Sequence, residues 1–231
     1  MERVVFQHGD VVCEPGDAIR YVYFPETVVI SMLSILENGD TLEVGLVGSE
    51  GMVGIRVFFG ATTEPEQLIV QVGGTAMRMS AEVLRQELRR PKPLHRLLLR
   101  YTQALMRMIS QSAACFAHHA IDRRLARWLL TMLDYVGTDE LRFTQECISM
   151  RMGSRRPSVT MAAADLQRAG MLKYTRGRIT VLDRKALEAS ACECYWVIRR
   201  EYDRLHADIA TLLSKAEEGE GQDVSRQRRP A

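Results

Sequence analysis

The chain has 231 residues, 46% hydrophobic and 26% charged, with a formal net charge of +2; this is the balance of an ordinary globular protein, long enough for one large domain or two small ones. No apolar run approaches the roughly 18 residues of a membrane span, and neither a signal nor a transit segment follows Met1, so a cytoplasmic protein without membrane contact is expected. Five irregularly spaced cysteines argue for reduced thiols rather than a disulfide framework.

In chain order, the first eighty residues read as β structure cut by turns. His8-Gly9-Asp10, Pro15-Gly16-Asp17 and Asn38-Gly39-Asp40 separate the runs Val4–Phe6, Val11–Cys13, Tyr21–Phe24, Val28–Leu36 and Leu42–Val47. Asn-Gly between apolar runs is the strongest short-range hairpin signal, because both residues accept the positive φ of a type I′ turn. Turns at this spacing predict a small sandwich or roll. The glycine-rich segment Gly45–Gly60 precedes another strand pair, Leu68–Val72 and Thr75–Met79.

From Ser80 the period becomes helical. Leu98, Tyr101, Leu105, Met108, Ser112, Cys115 and His119 recur at alternating three and four, the spacing of a heptad seam. Leu98, Tyr101, Leu105, Met108, Ser112 and Cys115 are therefore expected to form a short homodimer contact. A second helix over Ile121–Val136 turns Leu125, Trp128, Leu129, Met132 and Leu133 toward a core.

Residues 144–168 read as a helix-turn-helix. Thr144 suits the N-cap of the first helix, with Glu146 in its first turn to complement the dipole. Ile148 and Met152 share a buried face, Ser149 is small where a second helix crosses, and Gly153 accepts the left-handed conformation that ends a helix. Pro157 suits the first position of the second helix, whose inner stripe is Val159, Ala162, Ala163 and Leu166. Its outer side carries Arg156, Thr160, Met161, Ala164 and Arg168. The runs Leu172–Thr175 and Arg178–Val181 around Arg176-Gly177 then form a two-stranded wing with Lys173, Arg176 and Arg178 placed for phosphates. The expected DNA contacts are Thr144, Gln145, Arg155, Arg156, Ser158, Thr160, Met161, Arg168, Lys173, Arg176 and Arg178. Charge supports them: residues 1–60 carry three arginines against nine acids, whereas 142–184 carry nine bases against three acids, and positive charge collected around such a motif is the footprint of double-stranded DNA. Asp183 to Lys215 reads as further helix and Glu217–Ala231 as a disordered tail.

A β-roll, a long helix and a C-terminal winged helix, in that order, resemble the Crp/Fnr (catabolite activator) family of bacterial transcription regulators. The resemblance spans about residues 4–183 and is carried by Glu14-Pro15-Gly16-Asp17, Tyr21-Val22-Tyr23-Phe24-Pro25, the run Val47–Gly54, Arg124-Leu125-Ala126-Arg127-Trp128-Leu129-Leu130 and Arg155–Thr160. It implies an α+β fold with a roll over 1–92, a dimerisation helix over 93–120, a winged helix-turn-helix with helical extension over 121–216 and the tail 217–231. It further implies a homodimer on a pseudo-palindromic promoter site in contact with RNA polymerase. Members that bind cyclic AMP cradle its phosphate with an Arg-Ser or Arg-Thr pair. Here no arginine stands between Arg56 and Arg78, and Glu64 and Glu66 lie in the cassette instead, so cyclic AMP is not expected and the effector is left open. Backbone amides of Gly48–Gly54 could still form an anion nest. Cys13 stands alone where oxygen-sensing members hold a cysteine group. Pro157 and Met161 replace base-reading Glu and Arg, so the family's usual operator does not carry over. Whether Met1 begins the complete chain, and whether the protein activates or represses, the sequence leaves open.

No nucleophile elbow, Walker loop, dinucleotide fingerprint or zinc-protease motif is present, so no enzyme, catalytic residue or cofactor is predicted. Cys192 and Cys194 on one helix would point about 200° apart, which predicts no metal; His118-His119 reads as a helix junction. The competing reading is a protein-interaction or redox-sensing module on the same scaffold without direct DNA readout.

Overall fold

The computed structural model describes residues 1–89 and 93–226. The N-terminal unit contains β1 (Glu2–Phe6), β2 (Val11–Cys13), β3 (Tyr21–Pro25), β4 (Val29–Ile35), β5 (Thr41–Val47), a 3₁₀ helix (Ile55–Phe59), β6 (Gln67–Val72), β7 (Gly74–Ser80) and α1 (Ala81–Leu88). Two antiparallel sheets, β1-β7-β3 and β2-β6-β4-β5, make the expected roll. Asn38-Gly39 turns β4 into β5, with Gly39 at φ +85°. Along β4 the two-residue period sends Ile30 and Met32 into the roll, while Val29 packs with Leu46 against the C-terminal half. Ser31 is buried on that second side as well.

The rest of the chain consists of α2 (Pro93–His118), α3 (Ile121–Val136), β8 (Glu140–Arg142), α4 (Gln145–Arg151), α5 (Arg156–Arg168), β9 (Leu172–Thr175), β10 (Arg178–Val181), α6 (Arg184–Ser190) and α7 (Cys194–Arg226). The apolar stripe of α3 meets α4, α5 and the wing in a second core that includes Leu125, Leu129, Ile148, Val159, Leu166 and Ile179. Truncating Leu129, 1% exposed, to Ala would cost about 2–5 kcal/mol.

Three expectations need correction. Leu98, Tyr101, Leu105, Met108, Ser112 and Cys115 do not form an open seam, because this chain already buries all six. Leu98, Tyr101, Leu105 and Met108 face the roll together with Ile198, Tyr202 and Leu205 of α7. The C-terminal helix is broken in two: α6 ends at Ser190, Ala191 is extended, and α7 starts at Cys194. Helix α7 also runs through to Arg226, so residues 217–226 are helical rather than disordered. Adding residues to a helix that is already nucleated costs far less than starting one. The remaining tail residues, 227–231, lie outside the described residues.

Candidate nucleic-acid interface

The helix pair is capped as its sequence demands. The Thr144 hydroxyl accepts from Cys147 N–H at 3.1 Å, and Gly153, φ +52°, takes the left-handed conformation in the turn. Pro157 occupies the second position of α5 rather than the first; an N–H there has no intrahelical partner in any case, so nothing is lost. The inner stripe is buried as expected, leaving Arg156, Thr160, Met161, Ala164 and Arg168 exposed on the far side. Met161 is 68% exposed.

The wing follows directly. Arg176 and Gly177 have φ of +51° and +79°, the pair of positive values that a type I′ hairpin needs. Strand β10 also pairs with β8, a third strand that the sequence reading missed. Tyr174 ties the wing to the helices: its N–H donates to Gln167 Oε1 and its hydroxyl to Phe143 O, both at 2.7 Å. Between α5 and the wing runs a groove of about 360 Å³ lined by Thr144, Gln145, Arg156, Thr160, Tyr174 and Arg176. Within it Thr160 Oγ1 donates to Gln145 Oε1 at 2.7 Å, which leaves the Gln145 amide N–H free as a donor.

Among the described residues Arg155, Lys173 and Arg176 make no ion pair. Arg156 reaches Glu146 at 3.8 Å, with both side chains more than 60% exposed, and Arg178 reaches Glu140 at 4.0 Å. Arg168 pairs with Asp165. Exposed pairs of this kind contribute about 0–1 kcal/mol and exchange readily for a phosphate. Ser158 lies half-buried in the first turn of α5, beside these groups. Two bases of the positive stretch are not surface charge: Arg151 is buried, and Arg184 is held by Asp134 and Glu188.

Comparison with known proteins agrees with this geometry. Residues 123–190 match the model of the Crp-like helix-turn-helix domain, and residues 3–90 match that of the cyclic nucleotide-binding domain. The chain belongs to the Crp/Fnr family. It is a helix-turn-helix transcription regulator of that type. FixK2 from Bradyrhizobium japonicum has the same fold at 14% identity, TM-score 0.70, covering 83% of this chain and 97% of that one. The CRP-family transcriptional regulator TTHB099 of Thermus thermophilus does so at 22% identity, TM-score 0.69, covering 83% and 96%. The global nitrogen regulator of Nostoc sp. (strain PCC 7120 / SAG 25.82 / UTEX 2576) is 23% identical over 186 residues, 76% of this chain and 83% of the relative.

In this Crp/Fnr regulator the cassette of the N-terminal domain does not fit a cyclic phosphate. Arg56 donates from Nε to Glu64 Oε1 at 2.9 Å and from Nη2 to both oxygens of Glu66 at 2.7 Å. Two carboxylates thus hold the guanidinium that an incoming phosphate would need. Glu64 is 3% exposed, and burial, reinforced by Glu66, raises its carboxyl to about 7 despite Arg56. The glycine-rich turn is occupied as well. Glu50 accepts from Gly48 N–H at 3.1 Å and from the Tyr135 hydroxyl at 2.9 Å, so the chain's own carboxylate takes the Gly48 amide. A Cβ at Gly48 would lie 2.6 Å from the Tyr135 ring, which is why this position has no side chain.

Two groupings escaped the sequence reading. Glu43, buried in β5, accepts from Trp128 Nε1 at 2.9 Å and from the Ser31 hydroxyl, with Arg151 Nη1 at 3.9 Å. Arg151 also donates to Ser31 Oγ at 3.3 Å. The roll and the DNA-binding unit therefore share a buried charged network, and no residue spacing announces a contact between positions so far apart in the chain. The second grouping is Cys115, His119, Cys192 and Cys194. Cys192 precedes α7 instead of lying on it, so the divergence expected of two helical cysteines does not arise.

Proposed function

We propose that this regulator binds double-stranded DNA as a homodimer, with α5 in the major groove and the wing on the adjacent backbone. The observation that carries the reading is the exposed side of α5, where Arg156, Thr160 and Met161 stand beside the unpaired Arg155, Lys173 and Arg176. Arg156, at the helix start, reaches a guanine edge, and Met161 meets apolar base atoms such as a thymine methyl. The wing bases contact phosphates, which position the protein without reading sequence.

The dimer uses α2, one residue out of step with the buried seam. Leu99, Thr102, Met106, Ile109, Ala113 and Phe116 also alternate at three and four, and they are exposed or half-buried; Leu99 is 49% and Met106 64% exposed. A second copy of the same helix is the partner such a stripe suits, since two-fold symmetry makes it self-complementary. Two copies of α5 then read half-sites about 34 Å apart, which requires a pseudo-palindrome. Family membership supports contact with RNA polymerase. No cyclic-AMP response is expected from the occupied cassette.

Selection of duplexes from a random pool, followed by titration across salt concentrations, tests the reading. An inverted repeat should emerge. Arg156→Ala should relax preference at one base pair per half-site by about 1–3 kcal/mol. Arg176→Ala should weaken all duplexes alike and reduce the salt slope by about 1 per subunit. A pool that stays random, or an Arg176→Ala protein with changed base preference and an intact slope, contradicts it.

A further inference from the structure

We infer that Cys115, His119, Cys192 and Cys194 form a zinc site that clamps the end of α2 to the start of α7. Their four ligand atoms lie within 4.8 Å of one another. Cys115 Sγ and Cys192 Sγ are 3.5 Å apart, as are Cys194 Sγ and His119 Nδ1. A tetrahedron around zinc with bonds of about 2.3 Å to sulfur and 2.0 Å to nitrogen has edges of about 3.5–3.8 Å, so only small movements would close the donors on one ion. Three sulfurs and one imidazole are the donor set of a closed, structural zinc site, in which no position is left for water.

Local structure explains how the four meet. Cys115 and His119 are four residues apart at the end of α2, on one face, and His119 N–H still donates to Cys115 O at 3.0 Å. Cys192 and Cys194 approach from the break between α6 and α7. The three cysteines are 0% exposed and form a cluster of their own, separate from both apolar cores.

The surroundings match those of a bound metal. His119 offers Nδ1 to the cluster while its Nε2 lies 3.2 Å from Glu193 Oε1. A carboxylate on the far nitrogen fixes the tautomer and ring orientation of a metal-bound histidine. Gln111 Nε2 donates to Cys194 Sγ at 3.1 Å, as a donor to a metal thiolate would. One zinc, three thiolates and a neutral imidazole leave one negative charge. Arg124 and Arg127 are electrostatic neighbours of Cys115 and Cys192, and Arg127 is buried with its Nε unpartnered. Binding expels the thiol protons to solvent as the ion replaces them, with no change of oxidation state.

Cobalt(II) titration of the reduced, metal-stripped full-length protein is the test. The wild type should bind one cobalt per chain with intense tetrahedral ligand-field bands and sulfur-to-cobalt charge transfer, and zinc should displace it. Cys13→Ser with Cys147→Ser, which removes the two cysteines outside the cluster, should leave the spectrum unchanged. Cys192→Ser, its folding checked by circular dichroism, should reduce the charge-transfer intensity and weaken binding by at least tenfold; His119→Ala should shift the ligand-field bands while retaining charge transfer. A reduced wild type that takes up no tetrahedral cobalt, or a spectrum unaltered in folded Cys192→Ser, overturns the assignment. So does a spectrum lost on removing Cys13 and Cys147.

Discussion

At Arg56 the guanidinium is spent on Glu64 and Glu66; at Arg151 it is buried beside Glu43; at Arg155 and Arg176 it faces water without a partner. Identical chemistry thus serves as an internal plug, a link between units and a free surface cation, and burial decides which. The plug has a measurable consequence. Glu64 titrates near the usual 4.5 in the unfolded chain and at about 7 in the fold, so between those values the folded protein holds the extra proton. Its contribution to stability is therefore fully present below about pH 4.5, declines as pH rises, and is lost above about pH 7. The size is about 1–3 kcal/mol. Glu64→Gln keeps an acceptor for Arg56 Nε and removes the titration, while Glu66 still holds Nη2. Urea unfolding of this variant should lack the decline between about pH 5 and 8 that the wild type shows. Equal slopes in the two proteins would place the titration elsewhere.

Helix α2 illustrates how far sequence carries and where it stops. Its length, start and heptad spacing are legible, but two interleaved stripes one residue apart both satisfy the pattern. The more apolar one, containing Leu98, Tyr101, Leu105 and Met108, is the natural choice for an interface; the fold uses it against the roll and α7 instead. Only the position of α7 distinguishes them, and that is tertiary information. The winged helix was readable residue by residue because caps, glycines with positive φ and a two-residue hairpin are local signals. Strand β8 was not, being three residues long. Cys115 and His119 fall four apart in the heptad pattern, but nothing there marks them as ligands, because the cysteines they meet lie more than seventy residues away. The two stripes of α2 separate by mutation. Met106→Asp should yield a folded monomer in sedimentation, with operator affinity reduced at least tenfold. Leu105→Asp, placing a charge at a site 5% exposed, should destabilise the fold by about 3–5 kcal/mol. A dimer that survives Met106→Asp moves the interface off this stripe.

Across the molecule, an acidic roll and a basic winged helix are joined by α2 and by the network of Ser31, Glu43, Trp128 and Arg151. Thr41 adds a hydrogen bond to Met150 O at 3.2 Å, and the Leu42 side chain lies against Gly153, so the β4–β5 hairpin abuts the helix-turn-helix directly. In the proposed dimer, two half-sites at a fixed separation would demand that both DNA-binding units be held in place, because freedom lost on binding subtracts from affinity. The buried network restricts that freedom. Arg151→Met would leave the Glu43 carboxylate without its cation and should cost about 3–5 kcal/mol, whereas Glu43→Gln with Arg151→Met removes both charges and should recover much of that loss. The two positions should therefore couple by more than about 1 kcal/mol in a double-mutant cycle. Operator affinity should follow the same order. Arg151→Met should bind about tenfold more weakly at a temperature where it remains folded, with an unchanged salt slope, because no phosphate contact is lost. A fall in that slope would mean that Arg151 leaves the network and meets DNA itself; additive stabilities would mean that the Glu43–Arg151 pair does not couple the roll to the winged helix.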